Sequence, residues 1–172
     1  VLGGVADQVG LGDNWAHGRF RAPYLRDTLG TAGYAADTME TAMDWSKVPQ
    51  AVDKIEAAIR TGLADEGEQV HVYTHLSHVY GQGASIYTTY LYRSGDSYQT
   101  AMQRWEKLKA AGASEIVACG GTISHQHGVG KDHRNYLAAE KGSLGIAAIN
   151  SLCKLFDPSG QMNPGKLLPD GQ

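Results

Sequence analysis

Much that would classify a chain at a glance is missing here. Only two of 172 residues are cysteines, Cys119 and Cys153. They form no CxxC and no disulfide framework, which fits a reducing compartment and leads us to expect a cytoplasmic protein. No apolar run approaches the roughly 20 residues that a membrane span requires. No signal peptide is visible, and the opening at Val1 rather than Met is what a fragment or trimmed chain would show. Neither sign of charge is massed. With 15 Lys and Arg against 18 Asp and Glu, the net charge is −3, so no global field draws in nucleic acid or an anionic membrane. There is no internal repeat and no low-complexity linker. A dinucleotide fingerprint is absent as well: Gly128-Val129-Gly130 lacks the third glycine, and there is no P-loop.

What remains is an ordinary globular composition, 42% hydrophobic and 19% charged, in a chain long enough for one domain with a substantial core. Glycine, at 22 residues, is the one excess, and many glycines cluster around polar motifs where backbone approaches a ligand. Residues 1–20 are a glycine-rich lead-in with no readable structure. Pro23-Tyr24-Leu25-Arg26-Asp27 begins a short helix that ends near Gly30 or Gly33. Tyr34 to Trp45 reads as a strand. Ser46 then suits an N-cap, with Val48, Val52, Ile55 and Ile59 at helical spacing and a stop at Gly62.

From Gln69 to Tyr80 the period changes to two: Val70, Val72, Thr74 and Leu76 alternate with His71, Tyr73 and His75. A turn at Gly81-Gln82-Gly83 leads to an antiparallel partner strand, Ser85 to Tyr92. Ser97 to Ala111 reads as an amphipathic helix ended by Gly112, and Glu115 to Ala118 as a short strand. The order predicts an α+β fold: a ferredoxin-like β-α-β-β-α-β substrate (cap) domain over residues 21–120, with an antiparallel sheet and two helices on one face. Residues 121–172 hold a His-rich loop and a C-terminal helical segment. In that segment Leu144, Ile149, Leu152 and Phe156 are expected to face inward, and Asp157-Pro158 closes it. The turn Asn163-Pro164-Gly165-Lys166 is expected to pack on a neighbour.

Ser124-His125-Gln126-His127-Gly128-Val129-Gly130-Lys131 carries the chemistry that can be read. Two imidazoles between glycine pairs suit proton exchange near neutral pH, although a surface loop with locally bonded histidines reads equally well. A metal site is not expected. His75 and His78, three apart on a strand, would point to opposite faces, and the loop contains no carboxylate. Tyr87 lies on the strand paired with the one carrying His75, and its phenol needs a positive or hydrogen-bonding neighbour to act as a base. Tyr90 and Tyr92 share the other face as core or support residues. Arg26 is either the ion-pair partner of Asp27 or a fork for phosphate or carboxylate. Lys131 is either a solvated lysine or a phosphate contact.

In combination and in order, several of these segments resemble the C-terminal part of FAD-linked oxidases of the vanillyl-alcohol-oxidase type, and within them the alkyldihydroxyacetonephosphate synthase branch. They are Pro23 to Asp27, Glu40-Thr41-Ala42-Met43-Asp44-Trp45, His75-Leu76-Ser77-His78-Val79-Tyr80, Gly83 to Tyr87, Ser124 to Lys131, and the closing Asp157 to Lys166. The resemblance implies a flavoenzyme whose FAD is held mainly by a preceding domain that this sequence lacks. The 172 residues alone are then expected to be colourless and inactive. It implies that Tyr87 transfers a proton, that His125 and His127 belong to the catalytic histidine motif, and that Arg26, Gln126 and Lys131 meet the substrate. His127, Gly128 and Asn163 would lie toward the cofactor. The synthase motif of the animal enzymes has three successive histidines, and here the middle one is Gln126, which removes a titratable group and a cation for phosphate. The implied reaction exchanges an acyl chain for an alkyl chain on dihydroxyacetone phosphate in ether-lipid synthesis. The alternative is a D-lactate or glycolate oxidase type of 2-hydroxyacid dehydrogenase. Those relatives carry Gly-Glu-His-Gly at this loop, often with a metal, and Gln126 argues against that group. The partners implied are a lipid-like or 2-hydroxyacid small molecule, peripheral membrane contact of the whole protein, and homodimerisation through apolar surface left uncovered.

Overall fold

The structure is a computed structural model and describes residues 9–168. Two short helices come first, α1 (Val9–Gly18) and α2 (Ala22–Thr31). Proline in the first turn of α2 suits a position whose N–H has no helical partner. Strand β1 (Tyr34–Asp44) follows, then α3 (Val48–Thr61), the hairpin β2 (His71–Val79) and β3 (Gly83–Arg93), α4 (Tyr98–Ala118) and α5 (Leu137–Phe156). The three strands form one antiparallel sheet in the order β1-β3-β2.

Alternation along β1 and β3 divides the sheet into two unlike faces. Met39, Thr41, Met43, Ile86, Thr88, Tyr90 and Tyr92 are buried on the face that packs against α3 and α4. Helix α3 contributes Val48, Ala51, Ile55 and Ile59, all buried and repeating at helical spacing. Each large apolar side chain removed from water there contributes about 1.5–3 kcal/mol. On the opposite face Tyr87, Thr89 and Leu91 are only half-buried; α2 approaches one end of it, where Leu29 and Leu91 line a depression.

The helix over 98–111 and the strand over 115–118 are one element. Helix α4 starts with Ser97, whose side chain accepts from Thr100 N, and runs to Ala118. Ile116 and Val117 look strand-like by β-branching, yet Leu108, Gly112, Ala113 and Ile116 recur as buried positions at helical spacing. Gly112 is therefore not a stop. A Cβ there would collide with Met39 Sδ and meet Ile59 at 3.1 Å, so glycine lets α4 approach the sheet and α3 closely. The expected final strand of the β-α-β-β-α-β order is absent among the described residues. Instead the segment after α4 runs irregularly along the free edge of β1, where Thr122 N donates to Ala42 O at 3.2 Å and His125 N to Glu40 O at 3.0 Å.

Two smaller expectations also change. Lys47 rather than Ser46 caps α3, without a side-chain bond. In α5, Leu137 and Ile146 are the buried residues, Ile149 packs partly against the core, and Leu144, Leu152 and Phe156 are exposed. The helix breaks at Gly142, where φ is +67°, so one continuous periodicity does not describe its inner face. The C-terminal turn does pack on a neighbour: Leu167 N donates to Gly130 O and Arg134 to Gly165 O. Both cysteines are free. No helix among the described residues is long and apolar enough to cross a membrane.

Candidate functional site

The open sheet face carries a transverse row. Glu40 on β1 pairs with Tyr87 on β3, and Tyr87 pairs with His75 on β2. Directly opposed residues of antiparallel strands share a face, so carboxylate, phenol and imidazole stand side by side. The Tyr87 and His75 rings are 5.0 Å apart between centroids, and the Tyr87 hydroxyl donates to Thr38 Oγ1 at 3.3 Å.

The histidine loop folds onto this row. Gln126 sits in the left-handed region at φ +59°, and His127 N donates to His125 O at 2.8 Å, closing a three-residue γ-turn. That turn brings both imidazoles to one carboxylate. His125 Nδ1 lies 3.2 Å from Glu40 Oε1, and His127 Nε2 lies 3.2 Å from Glu40 Oε2. The His127 ring also meets Tyr87 edge to face, with centroids 5.6 Å apart at 85°. His125 Nε2 is 3.1 Å from the Tyr80 hydroxyl. Ser77 donates to Glu40 Oε1 at 2.5 Å and lies 2.6 Å from Ser85 Oγ.

Glu40 is the centre of the cluster, its side chain only 2% exposed. Burial pushes its carboxyl upward, but hydrogen bonds from Ser77 and His125, with the charge of His125, outweigh burial and hold it below the usual range. The buried carboxylate thus stays ionised. Nothing in the sequence reading assigned it a role. The available signal was an acidic residue in the middle of a strand, where Glu is disfavoured and a buried charge requires partners.

The exclusion of a metal by strand parity does not hold. A bulge between Leu76 and Val79 shifts the register of β2, and such an irregularity re-aims side chains. His78 consequently turns to the open face, with Nδ1 3.6 Å from Glu40 Oε1. Glu40, His78 and His125 each offer a ligand atom within 4.8 Å of the others, a donor set that could hold a divalent ion. His75 stays beside Tyr87 instead.

Tyr87, His125 and His127 are therefore brought together. Gln126 is exposed at the tip of the turn. Arg26 is not part of the cluster: it lines a depression with Asp27, Gly30, Thr31 and Tyr34 to Ala36, and Ala36 is about 13 Å along β1 from Glu40. Lys131 lies on the other side, in a cavity of about 450 Å³ with Trp105, Lys109 and Tyr136. Asn163 is in the C-terminal turn, where its carbonyl accepts from Lys166 N. Tyr90 and Tyr92 are buried on the helix side as expected. Burial and the Asp37 charge push the Tyr92 phenol up to about 12 and the Tyr90 phenol higher still, so neither serves as a base. For a planar ring the open face is suitable. Its polar row is uncovered by helices, and a side chain at Gly128, at φ +75°, would meet open space.

A sheet covered on one face, with a histidine loop folded across the other, defines a class, and comparison with known proteins agrees. The profile described as "FAD linked oxidases, C-terminal domain" matches residues 5–167; the chain belongs to this family. Among relatives it is similar to alkyldihydroxyacetonephosphate synthase of Trypanosoma brucei brucei, 26% identical over 158 residues that make up 92% of this chain and 25% of that protein. The Caenorhabditis elegans synthase is 28% identical over 88% of this chain and 26% of its own length. A solved structure of alkyldihydroxyacetonephosphate synthase superposes with a TM-score of 0.61 at 22% identity, covering 88% of this chain and 24% of that one, which shows a shared fold. The glycolate oxidase subunit GlcD of Escherichia coli (strain K12) is 40% identical over 66 residues, 38% of this chain and 13% of its own. The chain thus spans about a quarter of the length of the synthases it matches.

Proposed function

We propose that the protein containing this chain is an FAD-dependent alkyldihydroxyacetonephosphate synthase, and that these residues form its substrate-side, catalytic part. The observation that carries this reading is the likeness to synthases along about nine tenths of the chain. The clustering of Tyr87 with His127 and Glu40 on an uncovered sheet face is consistent with it. The reaction replaces the acyl chain of acyl-dihydroxyacetone phosphate by a long-chain alcohol, without net redox change.

Tyr87 removes a proton from the carbon bearing the acyl group, with His127 beside it to take up or return that proton. Arg26, away from the reacting atoms, suits the anionic end of the substrate, and its planar fork matches phosphate. Gln126, exposed at the tip of the histidine loop, suits a substrate contact. His127 and Gly128 would lie toward the cofactor, which when bound supplies the electrophilic chemistry the protein side chains lack. The FAD is held mainly by the rest of the protein, so the 172 residues alone are colourless and inactive. Exposed Trp15, Phe20, Leu144, Leu152 and Phe156 form apolar surface that other parts of the protein or a second copy would cover.

The 40% identity to GlcD over 66 residues favours a second reading, oxidation of a small 2-hydroxyacid. The two separate with the full-length, FAD-loaded protein. Exchange of acyl for alkyl on acyl-dihydroxyacetone phosphate is expected. Anaerobic bleaching by D-lactate, glycolate or D-2-hydroxyglutarate, with no exchange, would overturn the synthase reading. Tyr87→Phe should lower turnover about 100-fold or more in a protein that still binds FAD; full activity would remove the phenol from the mechanism.

A further inference from the structure

We infer that Glu40, His78 and His125 form an open binding site for a divalent transition ion of the zinc class. The inference rests on the cluster itself and not on any substrate. Each residue offers one ligand atom, and the three atoms lie within 4.8 Å of one another. Glu40 Oε1 is 3.2 Å from His125 Nδ1 and 3.6 Å from His78 Nδ1. Zinc bound at about 2.0–2.1 Å in tetrahedral geometry sets neighbouring donors about 3.3 Å apart, so these two spacings already match those around a coordinated ion. His127 Nε2 lies instead at the other carboxylate oxygen, 3.2 Å from Oε2, and stays outside the set. Two imidazoles with one carboxylate suit zinc-like ions, whereas magnesium and calcium take oxygen ligands.

The fold aims these ligands without help from an ion. The bulge in β2 turns His78 to the open face, and its backbone N donates to Ser85 Oγ at 2.8 Å. His125 is fixed through its own backbone N, which donates to Glu40 O at 3.0 Å. Metal-bound imidazoles generally bond through their second nitrogen to an outer partner, and His125 has one: Nε2 lies 3.1 Å from the Tyr80 hydroxyl. The Tyr80 ring in turn stacks on His78, with centroids 6.3 Å apart at 9°, so one tyrosine braces both imidazoles. The Ser77 and Ser85 hydroxyls beside His78 Nδ1 rotate freely enough to make way for an ion. Exposure rises across the set, from 2% for Glu40 through 16% for His125 to 44% for His78. The carboxylate is the buried floor and His78 the mouth. Three protein ligands leave a fourth position open, which takes water or a carbonyl or hydroxyl oxygen of a bound small molecule.

Zinc alone is the probe. Full-length, FAD-loaded protein is stripped with a chelator and titrated with zinc chloride in a calorimeter, and crystals of the zinc-treated protein give anomalous difference maps on either side of the zinc absorption edge. Binding of one zinc per chain is expected, with an anomalous peak between Glu40, His78 and His125. His78→Ala should weaken zinc binding more than about 10-fold, since even an outer partner of a metal ligand is worth about 10- to 100-fold. His78 is exposed, so its truncation leaves the fold intact. His71→Ala, at the opposite end of β2, removes an exposed imidazole outside the set and should leave the affinity unchanged. Absence of bound zinc, a peak only elsewhere, or equal affinity in His78→Ala and the wild type overturns the proposal. An equal loss in His71→Ala would show scavenging by surface histidines and overturns it as well. No substrate enters either measurement, so a failure of the synthase reading leaves this result untouched.

Discussion

Two carboxylates three residues apart on β1 face opposite sides of the sheet and live differently. Asp37, toward the helices, has a permanent cation: Lys109 Nζ lies 2.8 Å from Oδ2, and Trp105 Nε1 and the Tyr90 hydroxyl donate to the same oxygen. Burial pushes the Asp37 carboxyl up, but the charge and hydrogen bond of Lys109 prevail and hold it low. Glu40, on the face opposite α3 and α4, is the more buried of the two, its side chain 2% exposed against 29% for Asp37, because the histidine loop folds over it. Its partners are imidazoles and serine hydroxyls, groups that can both give and take a proton. A fixed ion pair suits stability, and a carboxylate among exchangeable partners suits chemistry.

Removing the cation from the first network is the strongest way to break the comparison. Lys109→Ala leaves Asp37 without its counter-charge and should cost about 3 kcal/mol in chemical denaturation, without moving the His127–Glu40 contact. A loss below about 1 kcal/mol would show that Trp105 and Tyr90 suffice. Next, Gly112→Ala should cost about 2 kcal/mol through overpacking against Met39 and Ile59, outweighing the gain in helix propensity; an unchanged melting temperature would contradict the close packing of α4.

The helix side also predicts a pH dependence. His133 is buried with Nδ1 unpartnered, and burial, then the nearby Lys109 charge, push its pKa below the usual 6.5. The unfolded chain binds the proton more readily, so this contribution is complete above about 6.5 and is lost as pH falls through the lower folded value. His133→Leu should flatten the slope of unfolding free energy in that window, whereas a slope unchanged by the substitution would assign it elsewhere. Smallest of all, Gln126→Gly should relieve the left-handed backbone at the γ-turn, where a side chain is disfavoured, and raise stability by about 0.5 kcal/mol. A destabilised variant would mean the Gln126 side chain contributes to the turn.

Legibility varied with the physics of each element. Strands β2 and β3 were readable because period-two alternation is local, and their register brought His75 and Tyr87 together as the pairing implied. The end of α4 was not. Gly112 breaks a helix in isolation, and only the approach of Met39 and Ile59 makes glycine the residue that fits. The histidine loop stood out by composition, yet Arg26, Lys131 and Asn163, read beside it, lie on different surfaces. Linear motifs do not record which face of a sheet each segment reaches.

By itself the sequence determined the family, the antiparallel hairpin, and the pairing of the Tyr87 strand with the strand that carries His75. Those depend on residue type, order and short-range spacing. Tertiary structure alone decided that Glu40 joins His125, His127, His78 and Ser77. That convergence needs a bulge in β2, a γ-turn at Gln126 and a loop laid along the edge of β1. A one-residue irregularity in a strand reverses which face its side chains take, and composition cannot register it.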